Sequence, residues 1–358
     1  MIKRVAIIGA GIGAQHLDGF LALRDKFQVC MICDLDQERA KALITDRPAL
    51  AASKDIELVS DIESVLQDPD IDIVDICLPP HLHFQTILDA LDAGKSVICE
   101  KPLVTSLADI DKVAETLETS PGQLLPVFQY RHGLGTTQLH ALMEAGLAGT
   151  CYAGSLETHW DRQASYYDIA WRGTWAGEQG GAILGHAIHI HDLLSSLLGP
   201  VARVYAELAT RVNTIEVEDC AALSIRMEAG AVITSSVTLG SADNMSRLRL
   251  MFEGFTVESD HAPYAPASAS WRFTAREPYT QTKIDAVLKT VKEAHSGYAG
   301  LFDAFHDSLM GNKANHVRLE DARRSLEFVS ACYHSSRTAL PVMLPLSTSH
   351  PVYDGWLP

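Results

Sequence analysis

Residues 3–14 read "KRVAIIGAGIGA", an apolar run that breaks into Gly9, Gly11 and Gly13 and then leads into a helical pattern over 14–25. The spacing Gly9-x-Gly11-x-x-Ala14 is G-x-G-x-x-A, weak alone and informative only where a strand precedes it and a helix follows. Here both are present. Glycines at such a turn allow a tight reversal and close approach of backbone to a pyrophosphate, and the helix start adds N–H donors and a favourable dipole. Gly9, Gly11, Ile12 and Gly13 are therefore the expected pyrophosphate loop. Asp34 ends the next apolar run, 23 residues after Gly11, where a carboxylate accepts from both ribose hydroxyls and repels a 2′-phosphate. NAD is the expected cofactor; NADP is less favoured, with Arg39 the nearby group able to accommodate its phosphate. The competing reading is that the glycines only make a turn and Asp34 only caps the following helix. Asp36 reads as a solvated loop residue.

Around this feature the first 120 or so residues alternate apolar runs ("RVAIIGA", "FQVCMICD", "IDIVDICLP", "SVICEK", "LLPVFQY") with helical patterns near 14–25, 36–46, 61–67, 81–93 and 106–118. That alternation predicts a parallel sheet covered on both faces, a Rossmann domain of the α/β class. A chain of 358 residues is long enough for two domains. "TSPGQ" at 119–123 marks the expected boundary, giving domains 1–122 and 123–358. Beyond residue 200 strand-like runs follow one another directly ("ARVYAELAT", "DCAALSIRME", "GAVITSSVTLG", "SRLRLMFEG", "FTVESD"), and long helical patterns cover 283–311 and 319–338. The second domain is expected to be α+β with a largely antiparallel, open-faced sheet. Five such runs promise more apolar sheet surface than two helices can cover, so a homodimer or homotetramer through that face is expected.

The formal charge is −16 and no basic tract occurs, which removes the electrostatic footprint of a nucleic-acid or anionic-membrane partner. No run reaches the roughly 18 apolar residues of a membrane span. The start imitates a signal peptide, with Lys3 and Arg4 before an apolar run, but glycines break the run and no small-residue cleavage site follows, so it reads as a buried first strand. Seven scattered cysteines fit a reducing compartment and a cytoplasmic location better than a disulfide framework. Cys30 and Cys33 alternate to opposite strand faces, away from redox or zinc use.

"CEKPL" at 99–103, together with "GAGIGAQH", "LPPHLHFQTILDALDAGKSVICEKPL", "GGAILGHAIHIHDLL" and the closing "LEDARRSLEFVSACYHSSRTALPVMLPL", resembles the Gfo/Idh/MocA oxidoreductases, relatives of glucose–fructose oxidoreductase and myo-inositol dehydrogenase. The resemblance spans essentially the whole chain. It implies that Glu100 and Lys101 lie at the junction of cofactor and substrate, with Pro79 as a nicotinamide-side wall. His83 also matches; it is either part of that wall or an ordinary helix start. The chemistry asks for such a lysine in its own right. Oxidation of an alcohol takes hydride from carbon and a proton from oxygen, and a cation beside the oxygen stabilises the developing alkoxide.

The resemblance further implies a pattern G-G-x-x-x-D-x-x-x-H-x-x-D, met by Gly180, Gly181, His189 and Asp192; at the first aspartate position this chain has Gly185, followed by His186. His189 is the expected general base, because an imidazole titrates near neutrality. At helical spacing His186, His189 and Leu193 share a face and His191 points elsewhere. His186 and His189 lack an identifiable third ligand, so no metal is expected. Arg131, Trp160, Arg162, Tyr166, Trp171, Arg172 and Trp175 gather before the double glycine. Indole faces stack on sugar rings and guanidinium groups fork onto hydroxyls or carboxylates. Arg131, Trp160, Arg172 and His186 are the expected substrate contacts. The expectation is an NAD-dependent oxidoreductase acting on a hydroxyl or keto carbon of a sugar, cyclitol or related polyol. Its alternatives are an NADP-linked keto-sugar reductase and a catalytically weak nucleotide-sensing protein of the same fold.

Overall fold

The computed structural model describes residues 1–48, 50 and 56–358. Two compact units emerge: Met1–Val104, Asp109–Val127 and Leu301–Ala322 form the first, and Thr105–Ala108, Phe128–Gly300 and Arg323–Pro358 the second. No described helix is long and apolar enough to cross a membrane.

The first unit is built on six parallel strands, β1 (Lys3–Ile8), β2 (Phe27–Cys33), β3 (Glu57–Val59), β4 (Ile73–Ile76), β5 (Ser96–Cys99) and β6 (Leu124–Pro126), in the order 3-2-1-4-5-6. Val5 to Ile8 and Ile73 to Ile76 are buried without alternation, as strands covered on both faces require. The helices α1 (Gly13–Leu21), α2 (Gln37–Thr45), α3 (Ile62–Gln67), α4 (His83–Asp92) and α5 (Leu107–Thr119) fall close to the expected patterns. Asp36 is exposed just before α2, as a solvated loop residue would be, and also caps that helix, accepting from the Arg39 N–H at 3.1 Å. The strand order reverses between β1 and β4, so the carboxyl ends of β1, β4 and β5 flank the crevice where open α/β sheets bind ligands. β6 pairs with β5 from Val97 and Leu124 onward, so this unit continues past 119–123. Its core is completed from the far end of the chain. Phe302 stacks on Phe20 at 4.2 Å, Asp303 pairs with Lys26, and Leu301, Phe302 and Phe305 are fully buried.

The second unit carries an eight-stranded sheet: β7 (Cys151–Asp161), β8 (Val201–Ala209), β9 (Cys220–Met227), β10 (Val232–Thr238), β11 (Gly240–Phe252), β12 (Phe255–Glu258), β13 (Arg272–Ala275) and β14 (Val342–Met343), in the order 13-12-11-7-10-9-8-14. All neighbours are antiparallel except β7 and β10. β7, which is not among the strand-like runs expected from the sequence, lies inside the sheet. Gly154, Leu156, Thr158 and Trp160 face its buried side, and a Cβ at Gly154 would meet Leu250 and Ile233 within 2.9 Å. β14 reaches only part of the β8 edge; beyond it, Ser335 and Ser336 hydroxyls accept from Ala206 and Leu208 N–H groups. These serines sit on α10 (Leu319–Thr338), the last of the helices α6 (Leu134–Glu144), α7 (Ile188–Leu198), α8 (Gln281–Leu288), α9 (Gly297–Leu309) and α10. The pattern over 283–311 is thus two helices, because Gly297 takes φ +58° and starts a new one.

The outward sheet face is less apolar than expected. Ala222, Ser224, Arg226, Thr234 and Ser236 are exposed there, and Arg247 pairs with Glu157 at 3.0 Å and Glu258 at 3.4 Å. Strict alternation in β9 and β10 sends the large aliphatic residues to the covered side, with the exception of exposed Val232 at the start of β10.

Candidate active site

In the first unit the site begins at the turn after β1. Gly9 has φ +103°, and a Cβ on it would lie 2.4 Å from the Cys77 carbonyl oxygen, so only glycine fits. A Cβ at Gly13 would press on Ile7 at 2.8 Å, whereas nothing lies within 4 Å of one at Gly11. Two glycines therefore serve packing and the third leaves open space. α1 starts there without a side-chain cap or an acidic residue in its first turn, leaving its N-terminal field to an anionic group. These features fit the pyrophosphate of NAD.

Asp34 is buried, and its Oδ2 accepts from Ala10 N–H at 2.6 Å. Oδ1 accepts from Asp36 N–H and from Arg39 Nη2, both at 2.8 Å. Burial alone would raise its pKa; the bonds from Arg39, Ala10 and Asp36 outweigh that and hold the carboxyl below its ordinary value. One carboxylate thus ties the glycine turn to the end of β2 and remains charged. Pro79 precedes a short 3₁₀ turn, Pro80–Leu82. His83 starts α4 fully buried, with Nδ1 at 2.8 Å from the Pro102 carbonyl and Nε2 at 2.8 Å from that of Leu78, joining the loops after β4 and β5.

The stretch after β5 holds Glu100 and Lys101. Glu100 Oε2 accepts from Lys101 N–H at 3.0 Å, while Oε1 lies 3.0 Å from His16 Nε2. His16 Nδ1 lies 2.9 Å from Asp75 Oδ1 on β4. His16 and Asp75 are fully buried. Burial lowers the His16 pKa, but the Asp75 charge and further bonds overcome it and raise the imidazole well above its ordinary value. The sequence reading passed over this network. Its signal was a histidine on the apolar side of α1 and an aspartate in the middle of "IDIVDICLP". His16, Asp75 and Cys77 bring ligand atoms within 4.8 Å of one another, but they bond to each other, and burial pushes the Cys77 thiol up to about 12.

In the second unit the double glycine makes close packing possible. A Cβ at Gly181 would sit 1.9 Å from the Glu218 carbonyl oxygen, and one at Gly180 would sit 2.5 Å from Tyr333 Oη. Buried Glu218 accepts from Gly181 N–H at 3.1 Å, Ile183 N–H at 3.0 Å and the Tyr333 hydroxyl at 2.9 Å. It thereby holds the start of a single π-helical turn, Ile183–Ala187, that runs into α7. Such turns recur at functional sites.

His189 is buried on α7, stacked on Tyr130 at 4.8 Å with Phe128 edge-on at 6.4 Å. Its neighbour Asp192 receives Arg131 in a fork of 2.7 and 2.6 Å and the Ser325 hydroxyl at 3.0 Å. Arg131, expected at the substrate, thus has its guanidinium on Asp192. His191 packs on Phe328 and bonds Ser235 at 2.9 Å; burial pushes it down to about 3, so it stays neutral.

His186 sits edge-on to Trp160 at 5.1 Å and beside Tyr166 at 5.9 Å. Trp160 is buried and donates to Ser246 at 3.2 Å. The Arg162 guanidinium lies 4.8 Å from the Trp160 ring and that of Arg172 3.9 Å from Tyr166. Among the described residues neither arginine has a carboxylate within ion-pair distance: Arg162 donates to Asp161 O, Asn244 and Tyr264, and Arg172 to Tyr166 O. Glu178 enters this region unannounced by the sequence. It is buried, its Oε2 accepts from Gly173 N–H at 2.6 Å, and its Oε1 is 3.5 Å from where a Cβ on Gly185 would be.

Comparison with known proteins places these features in a wider group. Residues 3–128 match the family described as oxidoreductases with an NAD-binding Rossmann fold, GFO/IDH/MocA, and residues 136–258 match the GFO/IDH/MocA C-terminal domain. An oxidoreductase of Schizosaccharomyces pombe, itself uncharacterized, is 25% identical over 95% of this chain and 99% of its own length. Inositol 2-dehydrogenase/D-chiro-inositol 3-dehydrogenase of Lacticaseibacillus casei is 31% identical over 42% of each chain. Among solved structures, the WlbA dehydrogenase of Bordetella pertussis in complex with NADH and UDP-GlcNAcA superposes with a TM-score of 0.81 at 26% identity, covering 97% of this chain and all of the other. A levoglucosan dehydrogenase in complex with NADH and levoglucosan gives 0.79 at 21%, which is a likeness of fold.

Proposed function

Starting from a chain that belongs to the Gfo/Idh/MocA oxidoreductase family and carries an NAD-binding Rossmann unit, we propose that it oxidises, or in reverse reduces, one carbon of a sugar or cyclitol bearing a secondary hydroxyl. The observation that carries this reading is Lys101, directly after β5 at the carboxyl edge of the parallel sheet, with its backbone tied by Glu100. When bound, NAD supplies the hydride acceptor. Lys101 donates to the substrate oxygen and stabilises the alkoxide as hydride leaves the adjacent carbon. His189 takes the hydroxyl proton; its ring is held by Tyr130. Pro79 borders the nicotinamide and Asp34 receives the adenosine ribose. Trp160 and His186 form an apolar wall for the sugar ring.

Arg162 and Arg172 refine the substrate. Two guanidinium groups without a carboxylate partner among the described residues, in a chain of net charge −16, favour an acidic sugar over a neutral one. UDP-GlcNAcA, named with the Bordetella protein, is such a molecule. The same reading includes two or four copies joined through the outward face of the eight-stranded sheet, which light scattering checks. A cytoplasmic location fits the seven free cysteines.

The test is NADH formation followed by absorbance with neutral sugars, cyclitols, uronic acids and nucleotide-linked uronic acids as separate arms. Turnover is expected, strongest in the acidic arms. NAD binding without turnover in any arm would remove the dehydrogenase reading and leave a nucleotide-sensing protein.

A further inference from the structure

Beneath Glu100 and the Lys101 turn, His16 and Asp75 are buried and have no part in the chemistry above. His16 projects from α1, Asp75 lies in β4 and Glu100 directly follows β5, so a helix and two adjacent strands of the sheet meet at one imidazole. Its two nitrogens face two carboxylates at 2.9 and 3.0 Å. A neutral imidazole has one N–H and satisfies one such partner; two ionised carboxylate partners require both nitrogens to donate. A further titratable group against the ring is Cys77, whose sulfur is 3.4 Å from Nδ1, and Phe302 lies edge-on to the imidazole at 5.4 Å. The carboxylate that His16 grips through Oε1 is the one that accepts the Lys101 N–H through Oε2.

We propose that His16 is a positioning residue for hydride transfer: as an imidazolium clamped between Asp75 and Glu100, it fixes the Glu100 carboxylate and, through it, the backbone from which Lys101 reaches the substrate oxygen. The proposal rests on Lys101 being the group that stabilises the alkoxide. Asp75 is the anchor of the clamp and Glu100 its moving jaw. His16 touches neither substrate nor reacting atoms, and its effect is geometric.

Two near-isosteric variants separate positioning from general stability. In His16→Gln the amide nitrogen takes the place of Nε2 and keeps the Glu100 contact; in His16→Asn it takes the place of Nδ1 and keeps only Asp75. The full-length protein is followed by single-turnover hydride transfer, its deuterium isotope effect, the NAD dissociation constant, and hydrogen exchange at the Lys101 amide. His16→Gln is expected within about threefold of the parent. His16→Asn is expected to slow hydride transfer roughly tenfold to a hundredfold, the scale of a small misplacement of a reacting group, with NAD affinity nearly unchanged and faster exchange at Lys101. Equal losses in both variants, tracking their melting temperatures, would overturn the proposal, as would unaltered exchange at Lys101 in His16→Asn. Should the single variants not fold, His16→Asn combined with Asp75→Asn removes the uncompensated buried charge and carries the same readouts with the same expected result. Lys101→Met marks the premise: full turnover there refutes the assigned reaction, while exchange at the Lys101 amide still decides whether His16 holds the turn.

Discussion

Glu178 and Gly185 meet at a gap one methyl group wide: a Cβ on the glycine would stand in ordinary contact, 3.5 Å, with Oε1 of the glutamate. The missing side chain on the π-helical turn is therefore matched by a carboxylate arriving from the preceding loop. Aspartate at 185 would place a second carboxylate against the first, and two like charges at that range oppose each other's ionisation. Gly185→Asp alone should lower both melting temperature and kcat, Gly185→Ala should be nearly neutral, and Glu178→Gln with Gly185→Asp should recover activity relative to either acidic imbalance. Equal kcat in all variants would show that no carboxylate is needed on this face.

Cofactor choice turns on Asp34. Asp34→Ala removes the acceptor of Ala10 N–H and releases the exposed Arg39 guanidinium. NAD affinity is expected to fall by tenfold or more, on the scale of losing charge-assisted bonds, and the gap to NADP to narrow. Fluorescence titration of both nucleotides decides it; tighter binding of NADP by the unaltered protein would reverse the assignment.

For the chemical step, Lys101→Met should nearly abolish hydride transfer with NAD affinity almost intact. His189→Ala should slow turnover by about a hundredfold, as for loss of a positioned general base. His191→Ala, which removes a packed neutral ring, should cost stability and leave kcat in place. A chelator should have no effect, and activity lost to chelation and restored by zinc would replace the acid/base reading with a metal site.

Glu218 makes stability depend on pH. Burial pushes its carboxyl from an ordinary 4.5 up to about 7. Between those values the folded protein holds a proton that the unfolded chain has released, so this contribution is full below 4.5 and declines as pH rises through about 7. The slope is at most about 1.4 kcal/mol per pH unit. Urea denaturation at pH 5, 6, 7 and 8 should show Glu218→Gln, a neutral stand-in for the protonated acid, without this loss, so that the parent falls relative to the variant between pH 5 and about 7 and no further at 8; parallel curves would leave Glu218 out of the effect.

What could be read from the sequence was what is local. The glycine turn, the Glu100-Lys101-Pro102 stretch and the double glycine each compress their requirement into a few residues, and the five helices of the first unit follow apolar periodicity. β7 was missed because "CYAGSLETHWD" has only Leu156 and Trp160 as large apolar residues on its covered face, and its glycine reflects neighbours on β10 and β11 far along the chain. His16 with Asp75, Arg131 with Asp192, and Glu218 with Tyr333 are separated by 59, 61 and 115 positions, and polar pairs at such range leave no period to detect. The site histidines were legible individually, but the π-helical turn that sets their faces was not.

The return of Leu301–Ala322 to the first unit has a consequence for synthesis. A ribosome finishes the strands and helices of the nucleotide-binding half long before it makes Phe302 and Phe305, so the nascent chain carries Phe20 uncovered through most of its translation. Full closure of that half must wait for the last sixth of the message, and a fragment ending near residue 127 would emerge sticky at that spot. Grafting this nucleotide-binding half onto another protein would succeed only as two separate pieces of chain, carried together.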